Sequence, residues 1–447
     1  MKIKSSLVLL LLFSASFVLA KGRPVIFPFE NDSGDAKVEW LGYGVELLFE
    51  DSLNAIPLAE RMDAVDNMDV PDSGSLTLAT RLVIARKLGA AELITGKFAV
   101  SDGKITIKYT RYQIDKLTED KSSCTVSMDG FPANLSVFIQ TKVRGKYPYP
   151  LSFTGHQFEV YARGMLRSAV NGDFKEIEKL AKQVEDCEPL NRNLGNLLFD
   201  TGHFGKALEY LKRLPKSDIR GLFRSGMCCV QLENYSDGLI YFLHTLKFSR
   251  DMSSVVNAAG CLLALNHPEE AATFLQSLQE KGEGVDPLLL YDRSVVAAAM
   301  EQWVPALNIL SRYTSSFRFT DEAKQLAALC CGRCDCNHPL CADNQPAVGI
   351  SEKQPDVLSL YQFSEGESRG NEALDLKDIK ELYLAKAAES LKNGSKKEAV
   401  DALQKVLYLD PLQKDALKML CEHCQDKDAC KKLAKLAPHR TAPDVRR

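Results

Sequence analysis

The chain has 447 residues, 45% of them hydrophobic and 26% charged, which places it among globular proteins and outside the disordered and fibrous classes. Its 56 basic residues stand against 59 acidic ones, for a formal charge of −3, and no long Lys/Arg block occurs, so the basic face of a nucleic-acid binder is excluded. The length suits two to three domains.

Residues 1–20, MKIKSSLVLLLLFSASFVLA, set Lys2 and Lys4 ahead of an apolar run and end on Val18-Leu19-Ala20. That is the order of an export signal, and cleavage is expected near Ala20. The apolar run is shorter than the ~20 residues of a spanning helix, and no later stretch is apolar enough, so no membrane span is expected. Thirteen cysteines follow the signal, which suits an oxidising compartment where disulfides persist. The number is odd, so at least one thiol stays free, pairs with another chain or binds something.

After the signal, residues 24–30 read as a buried strand and Asn31-Asp32-Ser33-Gly34 as a turn. Trp40, Leu41, Val45, Leu47, Leu48, Leu53 and Ile56 recur at helical spacing, and 61–65 is short and strand-like. Ser73 or Ser75 caps a second helix carrying Leu76, Leu82, Ile84, Ala85 and Leu88, and Gly89 stops it. The period then changes to two over 91–100 and 104–114, joined by the hairpin signal Ser101-Asp102-Gly103. A further strand over 123–128 and a helical pattern over 133–143 complete a β-α-β-α-β-β-β-α order.

The residues VIFPFENDSGDAKVEWLGYGVELLFEDSL, followed by ARKLGAAELITGKFAVSDGKITIKYTRYQID, resemble the TolB amino-terminal-type domain of bacterial envelope proteins over about 22–145. The resemblance implies an α/β fold, a bacterial envelope setting and contacts with proteins rather than catalysis.

From 158 onward strand signals disappear, beyond a linker at 146–157, and the chain repeats itself every 31 to 35 residues. Gly195, Gly226, Ala259, Ser294 and Ala387 are each followed twelve residues later by another small residue: Ala207, Gly238, Ala271, Ala306 and Ala399. Four residues further sit Leu211, Phe242, Leu275, Leu310 and Leu403. Small side chains let two helices cross closely and large ones fill the space beside the crossing, so the pattern predicts stacked helical hairpins. Turns are expected at Asp200-Thr201-Gly202, Asn266-His267-Pro268 and Asn393-Gly394-Ser395. The candidate at 158–189 is degenerate, with Met165 and Ile177 where small residues belong. The pattern resembles tetratricopeptide (TPR) repeats, over 158–331 and again over 376–436. The fold expected is thus an α/β amino-terminal domain followed by an all-α TPR-like helical solenoid. Such a stack leaves a concave surface lined by first helices, where Arg192, Asn196, Met227 and Gln231 are candidates for partner binding.

Between the repeats, 332–375 reads as a Cys-rich inserted loop, with one short helix near 356–363. Cys331, Cys334, Cys336 and Cys341, with Cys330 and His338 beside them, have spacings compatible with zinc, while an exported chain favours disulfides. Neither Cys331-Gly332-Arg333-Cys334 nor Cys421-Glu422-His423-Cys424 is followed by the histidine of a haem attachment motif. Cys187, Cys228, Cys229 and Cys261 read as small apolar packing residues. No hydrolase, phosphate-loop or dinucleotide motif occurs, so no catalytic residue and no cofactor is assigned. The expectation is a non-enzymatic adaptor, periplasmic or secreted, that holds a protein or peptide partner in the cell envelope. The alternative is a metal- or redox-dependent envelope protein working through the 330–341 cluster.

Overall fold

The structure is a computed structural model and describes residues 23–53, 55–56, 76–116, 118–143, 153–184, 187–249, 252–278, 286–317, 320–334, 336–343, 357–364 and 376–436. They divide into two units, Met1–Arg224 and Ser225–Arg447. The expected signal, the 61–65 strand, Ser73, Ser75 and 146–152 of the linker lie outside the described residues.

In the first unit the apolar run after Arg23 becomes β1 (Pro24–Ile26), and β2 (Glu30–Asn31) follows at once. Both pair in parallel with β3 (Glu92–Ser101), which continues as an antiparallel meander through β4 (Lys104–Gln113) and β5 (Thr118–Ser127). The β3–β4 link is the tight turn that Asp102-Gly103 encodes, both residues having positive φ. Helix α1 (Trp40–Leu53) is buried along most of its length, with Leu41, Val45, Leu48 and Phe49 fully covered. Helix α2 (Leu78–Lys87) starts later than expected: its cap is Thr77, whose Oγ1 accepts from the Thr80 N–H. Its Ile84 and Ala85 close a core with Val25, Phe27, Ile56 and Leu93. A short helix α3 (Ala133–Phe138), extended by a π turn (Ile139–Val143), completes the α/β part.

The first helix beyond it, α4 (Gly155–Asn171), starts on a capping box in which Thr154 Oγ1 accepts from the Gln157 N–H and Gln157 Oε1 from the Thr154 N–H. It packs on α1, with Phe158 fully buried among the rings of Trp40, Phe131, Phe153 and Tyr161. Helices α5 (Lys175–Gln183), α6 (Glu188–Asp200) and α7 (Phe204–Leu211) follow, and α8 (Ile219–Gln231) begins in the first unit and ends in the second. In the α4–α5 hairpin the close approach is made by Gly164, where a Cβ would lie 3.0 Å from Ile177 Cβ. The small residue is thus one position before Met165, which explains why this copy reads as degenerate.

The second unit continues with α9 (Tyr235–Phe248), α10 (Met252–Ala264), α11 (Pro268–Gln276), α12 (Pro287–Ala299), α13 (Trp303–Ser316) and α14 (Asp321–Arg333). Then come α15 (Pro339–Asp343), a 3-10 turn (Val357–Leu360), α16 (Lys377–Lys392), α17 (Lys396–Leu409), α18 (Lys414–Glu422) and α19 (Lys427–Leu436). The large residues of the repeat pattern, Leu211, Phe242, Leu275, Leu310 and Leu403, are all buried. A Cβ on Gly195 would fall 2.9 Å from Leu211, and one on Gly226 would fall 2.7 Å from the Phe242 ring. Ser294 Oγ donates to the Ala306 carbonyl at 2.8 Å, across the same kind of crossing. Left-handed residues turn the hairpins at Gly202, Glu233, Asn266, Glu301 and Gly394. The two glutamates carry no turn signal, so those turns are invisible to composition.

These contacts set opposite signs for one kind of substitution. Gly226→Ala is expected to lower stability by about 1 kcal/mol net, because overpacking of 1–3 kcal/mol outweighs a helix-propensity gain of about 1. Gly205→Ala, where a Cβ meets nothing within 4 Å, is expected to raise it by about 0.5 kcal/mol. Urea unfolding of the two variants beside the parent checks both signs.

The α16–α17 hairpin shares the repeat pattern and also packs on second helices of two earlier hairpins: α17 lies against α9 and α16 against α11. His244 meets Tyr408 with ring centres 4.5 Å apart, Phe274 meets Tyr383 at 6.2 Å, and Lys386 pairs with the buried Glu270. Among the described residues no helix is long and apolar enough to cross a membrane.

Candidate functional site

Helix α10, MSSVVNAAGCLLA, is buried from Ser253 to Leu263. A helix buried on every side has a cover on every side. Part of the cover comes from 357–364, a hundred residues further along the chain, whose 3-10 turn packs on α10, α12 and α14. In this strap Leu360 and Tyr361 are buried.

The strap lies on one stripe of α10 formed by Ser253, Val256, Asn257 and Gly260, the i, i+3, i+4, i+7 spacing of a single helical face. Asn257 grips the main chain of Ser364 from both ends of its carboxamide: Oδ1 accepts from the Ser364 N–H at 2.7 Å and Nδ2 donates to its carbonyl at 2.9 Å. Ser253 Oγ lies 2.9 Å from Ser364 Oγ. Tyr361 donates its hydroxyl to the Val256 carbonyl at 2.7 Å. Gly260 carries no side chain where the rings of Tyr361 and Phe363 lie, and a Cβ there would come within 2.6 Å of each. Phe363 also stacks on Tyr235 at 6.4 Å.

From α12, Tyr291 donates to the Leu360 carbonyl at 2.9 Å, and Asp292 Oδ1 accepts from the Gln362 N–H at 3.2 Å. Asp292 is fully buried, and burial pushes its carboxyl well above the usual carboxylate range, against the lowering effect of the Gln362 N–H. Its Oδ2 is buried without a hydrogen-bond partner. Burial likewise raises the Tyr361 phenol, and Asp292 adds to the shift. The chemistry of this seat is recognition of main-chain groups at alternate residues 360, 362 and 364, where a 3-10 turn runs out, with an apolar slot for two rings.

Of the candidate partner-binding residues, Met227 lies beside the seat: it is buried, and its Sδ accepts from Asn257 Nδ2 at 3.1 Å. Arg192 is half-buried and paired with Asp218 at 2.8 Å and with Glu188. Asn196 is buried and its main-chain carbonyl accepts from Arg224 Nη1 at 3.1 Å, whereas Gln231 is exposed at the end of α8. The residues that touch the strap, Ser253, Asn257, Gly260, Tyr291 and Asp292, were not among the candidates. Their signal is a polar stripe ending in glycine on an otherwise apolar helix.

The cysteine-rich segment holds two disulfides, Cys331–Cys341 and Cys334–Cys336, and a third, Cys421–Cys430, joins α18 to α19. Cys330 remains a free, buried thiol of α14, pushed up to about 12 by burial. The Sγ atoms of Cys334, Cys336 and Cys341 lie within 4.8 Å of one another, so the spacing suits a metal once the bonds are reduced to thiolates. His338 Nδ1 accepts from the Leu340 N–H at 3.2 Å, at the start of α15. Cys187, Cys228, Cys229 and Cys261 are buried in helices or at a helix start, where packing uses them as small apolar groups.

No protein-family model matches the chain, and no curated protein matches it.

Proposed function

We propose that the protein is an exported adaptor of the bacterial envelope, which holds a protein partner through a tetratricopeptide-type helical array while a TolB-type α/β domain makes a second contact. The observation that carries the reading is the seat on α10 and α12, whose polar groups hold the main chain of a segment distant in sequence. Main-chain recognition by a helix face is the chemistry of peptide holding, and no step of it alters a covalent bond. The repeat pattern supports the array, and the three disulfides support an oxidising compartment.

Two measurements test the reading. Protein expressed from Met1 in a Gram-negative host is expected in the periplasmic fraction with Lys21 as its first residue; retention in the cytosol overturns export. In vivo crosslinking of the full chain is expected to trap one envelope protein, and to lose it when Asn257 is replaced by Ala. A trapped set that is the same with and without Asn257 removes the seat from the function.

The juxtaposed sulfurs of Cys334, Cys336 and Cys341 favour a second reading, a metal- or redox-dependent protein. Thiol counting separates the two. With the three disulfides intact, seven of the thirteen cysteines lie outside disulfide bonds. In denaturant without reductant seven thiols are expected to react, and in the native protein about two, since only Cys124 and Cys424 are not buried and the thiolate is the reactive form. A reduced, zinc-loaded cluster would instead release stoichiometric metal and add Cys331, Cys334, Cys336 and Cys341 to the reactive count.

A further inference from the structure

We infer that the strap 357–364 is a displaceable occupant of the seat on α10 and α12, and that the seat takes in its place a partner's segment of the same chemistry, aromatic, any residue, aromatic, then a small hydroxyl residue. The inference deepens the adaptor reading and rests on it.

Four hydrogen bonds hold the strap by its main chain, through Tyr291, Asp292 and both ends of the Asn257 carboxamide. Bonds of this kind are indifferent to side-chain identity, so the same groups can hold the main chain of another segment. Selectivity comes from the slot over Gly260, where the rings of Tyr361 and Phe363 lie, and from Ser253, which meets the hydroxyl of Ser364. Together these features specify the ring, any, ring, small-hydroxyl pattern. The strap does not saturate the seat either: Asp292 Oδ2 stays buried with no partner, so a segment that brings it a hydrogen-bond partner binds better than the strap. Residues 362–364 are only half-buried, in contrast to the closed interior of α10.

A strap on the same chain competes at an effective concentration in the millimolar range, so it masks the seat from weak ligands and yields to good ones. The test uses the full chain and a labelled synthetic peptide, acetyl-VLSLYQFS-amide, followed by fluorescence anisotropy. A chain with Tyr361→Ser and Phe363→Ser is expected to bind this peptide at least tenfold tighter than the parent. Adding Asn257→Ala to that chain is expected to weaken binding at least tenfold again. A folded strap variant, with helical circular dichroism intact, that fails to bind the peptide overturns the inference, as does binding that ignores Asn257.

Hydrogen exchange on the unaltered chain supplies a readout that needs no variant. The Gln362 and Ser364 amides are expected to exchange at least a hundredfold faster than those in the middle of α10, through local opening. Exchange at the rate of α10 itself means that the strap leaves only on unfolding, and overturns the inference. A concentration-dependent dimer formed by strap exchange overturns it too, because a second copy then replaces the partner. If the peptide fails while envelope crosslinking through other surfaces persists, the strap is a fixed cover and the adaptor reading survives; if both fail, both fall.

Discussion

Phe158→Ala is expected to destabilise the first unit by about 4 kcal/mol, since truncating a buried phenylalanine forfeits its transfer free energy and leaves a cavity, for a total of about 3–5 kcal/mol. Phe158 is fully covered and is the common neighbour of four rings, at centroid distances of 6.3 Å to Trp40, 5.3 Å to Phe131, 6.3 Å to Phe153 and 5.9 Å to Tyr161. Gly44 of α1 lies beneath it, where a Cβ would sit 3.1 Å from the ring, so the backbone of α1 is drawn close to α4 and has no side chain with which to refill the hole. The contact is between the α/β part and the first helix after it, so its loss weakens that junction. The chain has only two tryptophans, so in a Trp303→Phe background Trp40 fluorescence reports this site during urea unfolding. A loss below about 1 kcal/mol would mean that α4 is not seated on α1 in solution. Phe158→Leu, which keeps most of the volume, is expected to lose far less.

The second large effect is a dependence on pH set by Asp51. Burial raises its carboxyl from 3.8 to about 6, against the lowering effects of a hydrogen bond from Asn193 and the charge of Arg192. Asn193 Nδ2 donates to Asp51 Oδ1 at 2.8 Å and lies 2.6 Å from the Tyr161 hydroxyl, while Asp51 Oδ2 has no hydrogen-bond partner. A carboxyl whose folded pKa exceeds its unfolded one holds a proton in the native state that the unfolded chain has released. Its contribution is therefore favourable below about pH 4, declines between about 4 and 6, and is lost above that. The two pKa values correspond to about 3 kcal/mol, an upper bound because Asp51 keeps some exposed surface. The stability of Asp51→Asn relative to the parent is expected to rise by about 2 kcal/mol or more between pH 4 and pH 7, as measured by urea unfolding across that range. A flat difference would show that the carboxyl is solvated in the folded protein.

Local structure was legible wherever a short spacing carries the physics. Asp102-Gly103 prescribes a tight turn by its conformational freedom, and the turn forms. The small, small, large pattern at Gly226, Gly238 and Phe242 prescribes a close helix crossing by volume alone, and the crossing forms. The disulfide expectation for the Cys331 cluster rested on compartment chemistry and is met by two bonds, but which sulfur joins which depended on where α14 ends and α15 begins.

What the sequence by itself determined was therefore the hairpins marked by paired small residues, the turns with a permissive residue, and which helix faces are apolar. Only the tertiary structure decided what covers those faces. The strap reaches Asn257 and Asp292 across 107 and 70 residues of chain, and α16 and α17 pack on α11 and α9, far back in the sequence, as well as on each other. The reason is physical: an apolar face states that burial is favourable and leaves its partner open, and main-chain hydrogen bonds use groups that every residue possesses, so those bonds by themselves do not name the segment that makes them.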